Sequence, residues 1–182
     1  MKAVKIILIV VLILMAVSIG LALYFSIQAS RQAANNSTNA STNTQTSEKM
    51  NIKVFLIANN DNGKQGKLVG CGDSVVAMEQ EIPATTAVLK AAMEKLLSLN
   101  VESYPGMGLS NTLYASSLKI DSLSVANGTA TIKLSGELKV NGTCDAPRIK
   151  AQLEETALQF STVKKADIFI NNKPINEVLS TR

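Results

Sequence analysis

Cys71 and Cys144 are the only two cysteines of the 182-residue chain and its first candidates for chemistry. An even pair of cysteines favours a disulfide in an exported domain, and the apolar N-terminal segment of this chain indicates export. A zinc site would need two further ligands beside these thiolates, and the sequence contains no histidine. We therefore predict a Cys71–Cys144 disulfide, worth roughly 4 kcal/mol on the chain-entropy model, and neither a metal nor a cofactor.

Glu79 and Glu81 lie two residues apart in a run that is typical of a strand. Alternate residues of a strand share a face, so these carboxylates resemble the acid/base pair of a hydrolase. Glycosidase carboxylates, however, stand about 5–9.5 Å apart across a substrate cleft, and a serine or cysteine nucleophile would lack a histidine base. The favoured prediction is a protein that is not an enzyme. The alternative is a small envelope hydrolase that acts on glycan or peptide through Glu79 and Glu81.

The segment at residues 6–25 contains no charged residue and is almost entirely aliphatic. A helix of that length covers about 30 Å, the thickness of the hydrocarbon core of a bilayer. Lys2 and Lys5 precede it and Arg31 follows it, so the positive-inside rule leaves the N-terminus in the cytoplasm. A cleaved signal peptide is the alternative, although its apolar region spans only about 7–15 residues. We predict a single-span signal-anchor over residues 1–28 of a cell-membrane protein.

Residues 29–50 are dominated by Asn, Ser, Thr, Ala and Gln. Such a composition does not build a hydrophobic core, so we predict a disordered linker. The remaining part, residues 51–182, is long enough for one domain with its own core. The predicted organisation is therefore an anchor, a linker and one extracytoplasmic domain.

The net charge of +4 belongs mainly to the N-terminal part of the chain. Residues 1–50 hold four basic residues against one acid, which leaves 14 basic and 13 acidic residues in residues 51–182. A nearly neutral domain lacks the basic surface of a phosphate binder. We predict that the domain does not bind nucleic acid.

The first half of the domain is predicted to form two strands and a helix. Residues 52–58 are apolar at nearly every position, which is typical of a buried strand. Residues 74–82 give a second strand, which Pro83 ends. Thr85 is expected to cap a helix over residues 85–99, whose apolar residues recur at i, i+3 and i+4. Residues 100–111 are expected to be an irregular connection.

The second half changes to a period of two residues. A bulge near Asp121 is needed to keep the apolar residues of the first strand on one face. Asn127 and Gly128 then predict a tight hairpin turn. A second helix is expected to begin at Asp145 and to end near residue 160, and residues 163–170 give the last strand. The order β-β-α-β-β-α-β predicts an α+β domain in which two helices pack on one mixed or antiparallel sheet.

The run LKIDSLSVANGTATIKLS at residues 118–135, between the two amphipathic helices, resembles the GerMN domain family of sporulation and spore germination. The resemblance extends from the opening strand at residue 54 to the strand that ends at residue 170. It implies a bacterial, extracytoplasmic domain with a fold related to ring-building motifs, and a role in binding or scaffolding rather than catalysis. The chain departs from the family's namesake because it has one copy of the domain and no lipoprotein cysteine.

Anchor and resemblance together predict a membrane-anchored, non-enzymatic binding or scaffolding module of the bacterial cell envelope. The expected partners are the membrane, through a single span, and an envelope protein or cell-wall polymer. Self-association into a homo-oligomer is a further expectation.

Overall fold

The computed structural model of the protein describes residues 48–180. The elements are β1 (Lys49–Ala58), β2 (Lys67–Leu68), β3 (Ser74–Pro83), α1 (Val88–Leu97), β4 (Ser103–Tyr104), β5 (Leu109–Ser110), β6 (Ser117–Ala126), β7 (Thr129–Glu137), α2 (Asp145–Leu158), β8 (Lys165–Ile170), β9 (Lys173–Pro174) and α3 (Ile175–Ser180). The predicted anchor and nearly all of the predicted linker lie outside these residues. Within residues 48–180, no helix combines the length and the apolar character that a membrane crossing requires.

The strands form two sheets, of order β2-β3-β1-β5-β4 and β6-β7-β8-β9. In the first sheet, β1 pairs with β3 antiparallel along its whole length. In the second, β6 and β7 form an antiparallel hairpin and β8 runs parallel to β7 after the α2 crossover. The α+β class is as predicted, whereas the prediction of one sheet is wrong, because side chains of α2 occupy the edge of β1 where a joining strand would pair.

The two edges of β1 are therefore satisfied differently. Toward α2, the N–H of Phe55 donates to Thr156 Oγ1 at 3.2 Å, and its carbonyl accepts from Gln152 Nε2 at 3.0 Å. Two residues earlier on β1, the side-chain amide of Gln159 accepts from the Lys53 N–H at 2.9 Å and donates to the Lys53 carbonyl at 2.7 Å. These side chains pair with the backbone N–H and C=O groups of β1 as a neighbouring strand would, and they thereby protect an otherwise open edge.

The larger of two hydrophobic clusters joins the two sheets and the helices, and Ile57, Val75 and Ala151 form the smaller one. Alternate residues of β7 and β8 enter it, while Phe169 between the buried Ile168 and Ile170 faces the other side of the second sheet. The largest fully buried side chains are Leu56, Ile57, Met93, Leu96, Ile132, Leu134, Ile149, Leu153 and Ile170. Burial of these apolar side chains is the main stabilising term of the domain.

Local signals in the sequence account for several boundaries. The pairing of β6 with β7 shifts between Ile120 and Ser122, which confirms the bulge at Asp121. Asn127 and Gly128 both have positive φ, as a two-residue hairpin turn requires. Helix α2 begins at Asp145 as predicted, but it ends at Leu158.

The predicted start and end of α1 are wrong. Thr85 does not cap the helix: its hydroxyl accepts from the N–H of Ala87 at 3.1 Å, and α1 begins only at Val88. The helix ends at Leu97, because the Ser98 hydroxyl turns back to the carbonyl of Lys95 at 2.7 Å. A threonine bonded to the residue two positions on forms a local turn that competes with a helix cap.

Residues 100–111 are more regular than predicted. They contain the short antiparallel pair β4 and β5, and β5 touches β1 at one register position, Ile57 opposite Ser110. Helix α3 after Pro174 was not predicted either. Strands of two residues, such as β4 and β5, are too short to show a period in the sequence.

Candidate functional site

A disulfide joins Cys71 to Cys144, with the Cα atoms 5.8 Å apart. Cys71 lies in the turn that enters β3, and Cys144 directly precedes α2. The backbone at Gly70 approaches α2 so closely that a Cβ there would lie 2.7 Å from Pro147 Cγ. Glycine is therefore needed beside Cys71 for the turn to reach the helix.

A buried ion pair reinforces the same junction. Asp73 is fully buried, and Arg148 of α2 donates from Nε to its Oδ2 at 2.6 Å. The second oxygen of Asp73 accepts from the backbone N–H of Asn60 at 2.8 Å. A buried carboxylate whose oxygens are both bonded holds its partners in fixed positions, so the loop after β1, the start of β3 and α2 meet here.

Asp61 organises the loop between β1 and β2. The hydroxyl of Ser74 donates to its Oδ1, and this bond contributes most to lowering the pKa of the Asp61 carboxyl below its ordinary value. Desolvation opposes the shift, and the backbone N–H groups of Gln65 and Gly63 add to it. These bonds favour the ionised form of the carboxyl.

Beside this junction lies a polar cavity of about 190 Å³. We call it the distal cleft, because it opens beyond the C-terminal end of β1 and is therefore remote from Lys49, the first residue of that strand. At roughly 3.3 Å per residue, β1 is about 30 Å long. Residues from four segments line the cleft: Asn59, Glu102, Ser110, Asn111, Thr112, Tyr114, Asn141, Asp145 and Arg148. The domain therefore carries a polar cavity at the end opposite to the start of β1.

The floor of the distal cleft is held by a network centred on Asn111, which is 1% exposed. Its amide donates to the Leu99 carbonyl at 2.7 Å, and its oxygen accepts from Gln152 Nε2 at 3.0 Å. The oxygen of Gln152 accepts in turn from the N–H of Thr112 at 2.9 Å. Gln152 thus bonds both to the edge of β1 and to the floor of the cleft.

Other polar groups that line the distal cleft have no bonding partner in the part of the chain that the structure describes. Within residues 48–180, no protein group bonds to the hydroxyls of Thr112 and Tyr114, the side-chain amide of Asn141 or the carboxylate of Glu102. The lining also contains one cation, Arg148, and a second carboxylate, Asp145, whose Oδ1 lies 3.6 Å from Arg148 Nη1. Such a surface offers donors and acceptors to a polar ligand.

Glu79 and Glu81 lie elsewhere, on the exposed face of β3. Glu81 forms an ion pair with Lys49 at the start of β1, and neither carboxylate lines the distal cleft. No cluster of three or more His, Cys, Asp or Glu residues within residues 48–180 is arranged to hold a metal ion. The structure therefore does not bring this predicted pair together with the polar cavity.

Four residues of this region were not predicted from the sequence: Asp73, Asn111, Arg148 and Gln152. A signal existed for Gln152, because it lies next to Ile149 and Leu153 on the apolar stripe of α2, where a polar residue is buried and needs partners. No comparable signal marks Asp73 or Arg148, since their meeting depends on loops distant in the sequence.

The described residues thus form an α+β domain with two sheets and one disulfide. A family model, described as Germane, sporulation and spore germination, matches residues 53–176. The match covers well over half of the chain, so the chain belongs to this family, which confirms the resemblance to GerMN domains. The matched region accounts for one copy of the domain.

Among solved structures, the first GerMN domain of the sporulation protein GerM from Bacillus subtilis is similar, at 22% identity and a TM-score of 0.47, over 69% of this chain and 85% of that one. The tandem GerMN domains of the same protein match at 23% identity and a TM-score of 0.47, over 70% of this chain. This chain spans 41% of the tandem structure. Among curated protein sequences, none matches this chain.

Proposed function

We propose that this protein is a non-enzymatic binding module of the bacterial cell envelope, which presents the distal cleft to a partner outside the cytoplasm. Membership of a family described by sporulation and spore germination supports an envelope role. The predicted anchor at residues 1–28 would hold the chain in the membrane, and the predicted linker at residues 29–50 would let the domain reach outward.

The position of the distal cleft carries this proposal. The predicted linker joins the domain at Lys49, and the cleft opens at the other end of β1, about 30 Å away. The cleft therefore lies at the end of β1 that is remote from Lys49, the residue at which the predicted linker meets the domain. Its partner is an envelope protein or a cell-wall polymer, and self-association of the domain is a further mode of contact.

Photo-crosslinking in the native envelope tests this proposal. A photoreactive residue in place of Asn141, at the rim of the distal cleft, should capture an envelope component, whereas the same residue in place of Glu81 should not. Adding Tyr114→Phe should reduce the capture at position 141, and adding Tyr104→Phe, outside the cleft, should leave it unchanged. Equal capture at both positions, or capture that ignores Tyr114→Phe, would contradict the proposal.

The topology has its own test. The full-length chain should sediment with membranes, and protease added to intact spheroplasts should digest the domain. Protection of the domain until the membrane is permeabilised would place it in the cytoplasm and would remove the envelope role.

A further inference from the structure

We infer that the distal cleft binds one neutral sugar unit, at the exposed end of a glycan. This inference rests on the proposed function, because it names the ligand class of the same site. It follows from the composition, charge and size of the cleft.

The residues that line the distal cleft are all polar in type, and none of them is aliphatic. Pockets for apolar ligands are lined mainly by hydrophobic and aromatic side chains with a few polar groups, and this cleft has the opposite composition. Glu102 can only accept hydrogen bonds, Arg148 can only donate them, and Thr112 and Asn141 can do both. The hydroxyl groups of a sugar ring can each donate and accept a hydrogen bond, so they can pair with both kinds of group in this lining.

The groups that remain available support the same ligand. The hydroxyls of Thr112 and Tyr114 and the side chains of Glu102 and Asn141 have no protein partner within residues 48–180. Thr112 and Tyr114 lie beside a floor that Asn111 and Gln152 hold in place, since both of these residues are fully bonded and buried, whereas Glu102 and Asn141 are exposed at the rim. Fixed polar groups bind a ligand at a lower entropic cost than mobile ones.

The charge of the lining selects among sugars. Arg148 is the one cation, and it faces the carboxylates of Asp145 and the buried Asp73. With Glu102 added, the carboxylates outnumber the guanidinium, so an anionic ligand would meet net repulsion. A neutral sugar is therefore favoured over a phosphorylated sugar or a uronic acid.

The size of the cleft limits the ligand to a single unit. Its volume of about 190 Å³ is below the ~300–1,000 Å³ of pockets for drug-sized ligands. Tyr114 supplies the one aromatic ring of the lining, which offers an apolar body beside its polar hydroxyl. One sugar ring fits such a space, and the remainder of a glycan would extend past the exposed rim residues Asn59 and Asn141.

Isothermal titration of the full-length protein with N-acetylglucosamine tests the inference, with glucuronic acid and glucosamine as the anionic and cationic comparisons. We expect saturable binding of the neutral sugar with a dissociation constant on the order of 1 mM, as the usual ceiling per ligand atom implies. Glu102→Gln and Tyr114→Phe should each weaken it by about 5- to 10-fold through the loss of one hydrogen bond. The matched controls, Glu79→Gln and Tyr104→Phe, should bind as the wild type does.

Absence of saturable binding by the neutral sugar would overturn the inference, and so would equal binding by the Glu102→Gln and Tyr114→Phe variants. Tighter binding of glucuronic acid would show that the charge argument is wrong, and tighter binding of glucosamine would assign the cleft to an amine instead. If no sugar binds while the crosslinker at position 141 still captures an envelope component, the sugar inference fails and the proposed function stands.

Discussion

Strand β1 has one edge paired by backbone along its whole length and one edge paired mainly by side chains. Along β3, ten residues on each strand are in continuous register, and no individual side chain is needed for the backbone bonds. On the other edge, the bonds to Lys53 and Phe55 come from Gln152 and Thr156 of α2 and from Gln159 directly after it. The first edge is robust to substitution because the backbone makes it, whereas the second depends on three side chains.

The difference also explains where the cleft forms. Because α2 occupies the edge of β1, β5 pairs with β1 only at Ile57 opposite Ser110. Beyond that point the loops diverge, and Gln152 connects the edge of β1 to the floor formed by Asn111 and Thr112. Gln152 thus links the side-chain edge to two residues that line the candidate binding site, Asn111 and Thr112.

The largest effect is expected from the disulfide, which connects the loop on the β3 side to the start of α2. Its two cysteines are 73 residues apart, so its loss should lower the free energy of unfolding by roughly 4 kcal/mol. Cys71→Ser and Cys144→Ser should match each other and the double variant, because each removes the same cross-link. Chemical denaturation of the full-length protein measures this, and a wild type that keeps its stability in reductant would contradict it.

Gln152→Leu should break the side-chain edge most strongly. It leaves the Phe55 carbonyl and the Thr112 N–H without their partners in a buried region, which should cost about 3 kcal/mol. Gln80→Leu on β3 is the control, since among residues 48–180 the Gln80 amide bonds only to the carbonyl of its neighbour Glu79. Equal stability of the two variants would show that the helix side chains do not support β1.

Thr156→Val sharpens the comparison with a change that keeps the side-chain shape. The N–H of Phe55 loses its acceptor, so the free energy of unfolding should fall by about 1–2 kcal/mol. Thr131→Val on β7 should change stability by less than about 0.5 kcal/mol, because a surface change away from buried polar groups has little effect. A Thr156→Val protein as stable as the Thr131→Val protein would contradict a role for this hydroxyl.

The sequence predicts the backbone-paired edge far better than the side-chain edge. A continuous apolar run identifies β1, and a period of two residues identifies β6 and β7. Asn127 with Gly128 determines the hairpin turn between β6 and β7, because only a few residues accept positive φ. The side-chain edge depends on where Gln152 and Thr156 meet β1, which is a tertiary fact that no local pattern records. The disulfide could be predicted because the chain has only two cysteines and the domain is predicted to be extracytoplasmic. The Arg148–Asp73 ion pair could not, because charged residues are common and their spacing carries no information about pairing.

The smallest effect concerns Glu154, on the same helix. Burial raises the pKa of its carboxyl, and Lys150 opposes this. Because the pKa of Glu154 is raised in the folded state, its carboxyl contributes stability at a pH below its ordinary pKa of about 4.3. This contribution is lost as the pH rises through the pKa of the folded state. Glu154→Gln should therefore be more stable than the wild type at pH 7, by less than about 1 kcal/mol, and equal to it in acid.

Asp61→Asn should show the opposite sign, because Ser74 above all lowers the pKa of Asp61. The ionised carboxylate stabilises the fold above its ordinary pKa, and this contribution is lost as the pH falls through the lowered value. The variant should be less stable than the wild type at pH 7 and should approach it in acid. Thermal unfolding of both variants between pH 3 and pH 7 measures the two trends, and trends of the same sign would contradict these pKa directions.

Hydroxyl-radical footprinting of the full-length protein, in its native envelope and after purification, tests most directly whether the distal cleft is the binding surface. Tyr114 lines the cleft, and Phe169 is a half-buried aromatic residue on the outer face of the second sheet. We predict that the envelope slows oxidation of Tyr114 several-fold and leaves Phe169 unchanged. Protection of Phe169 with Tyr114 as reactive as in the purified protein would move the binding surface to the second sheet and would contradict the account.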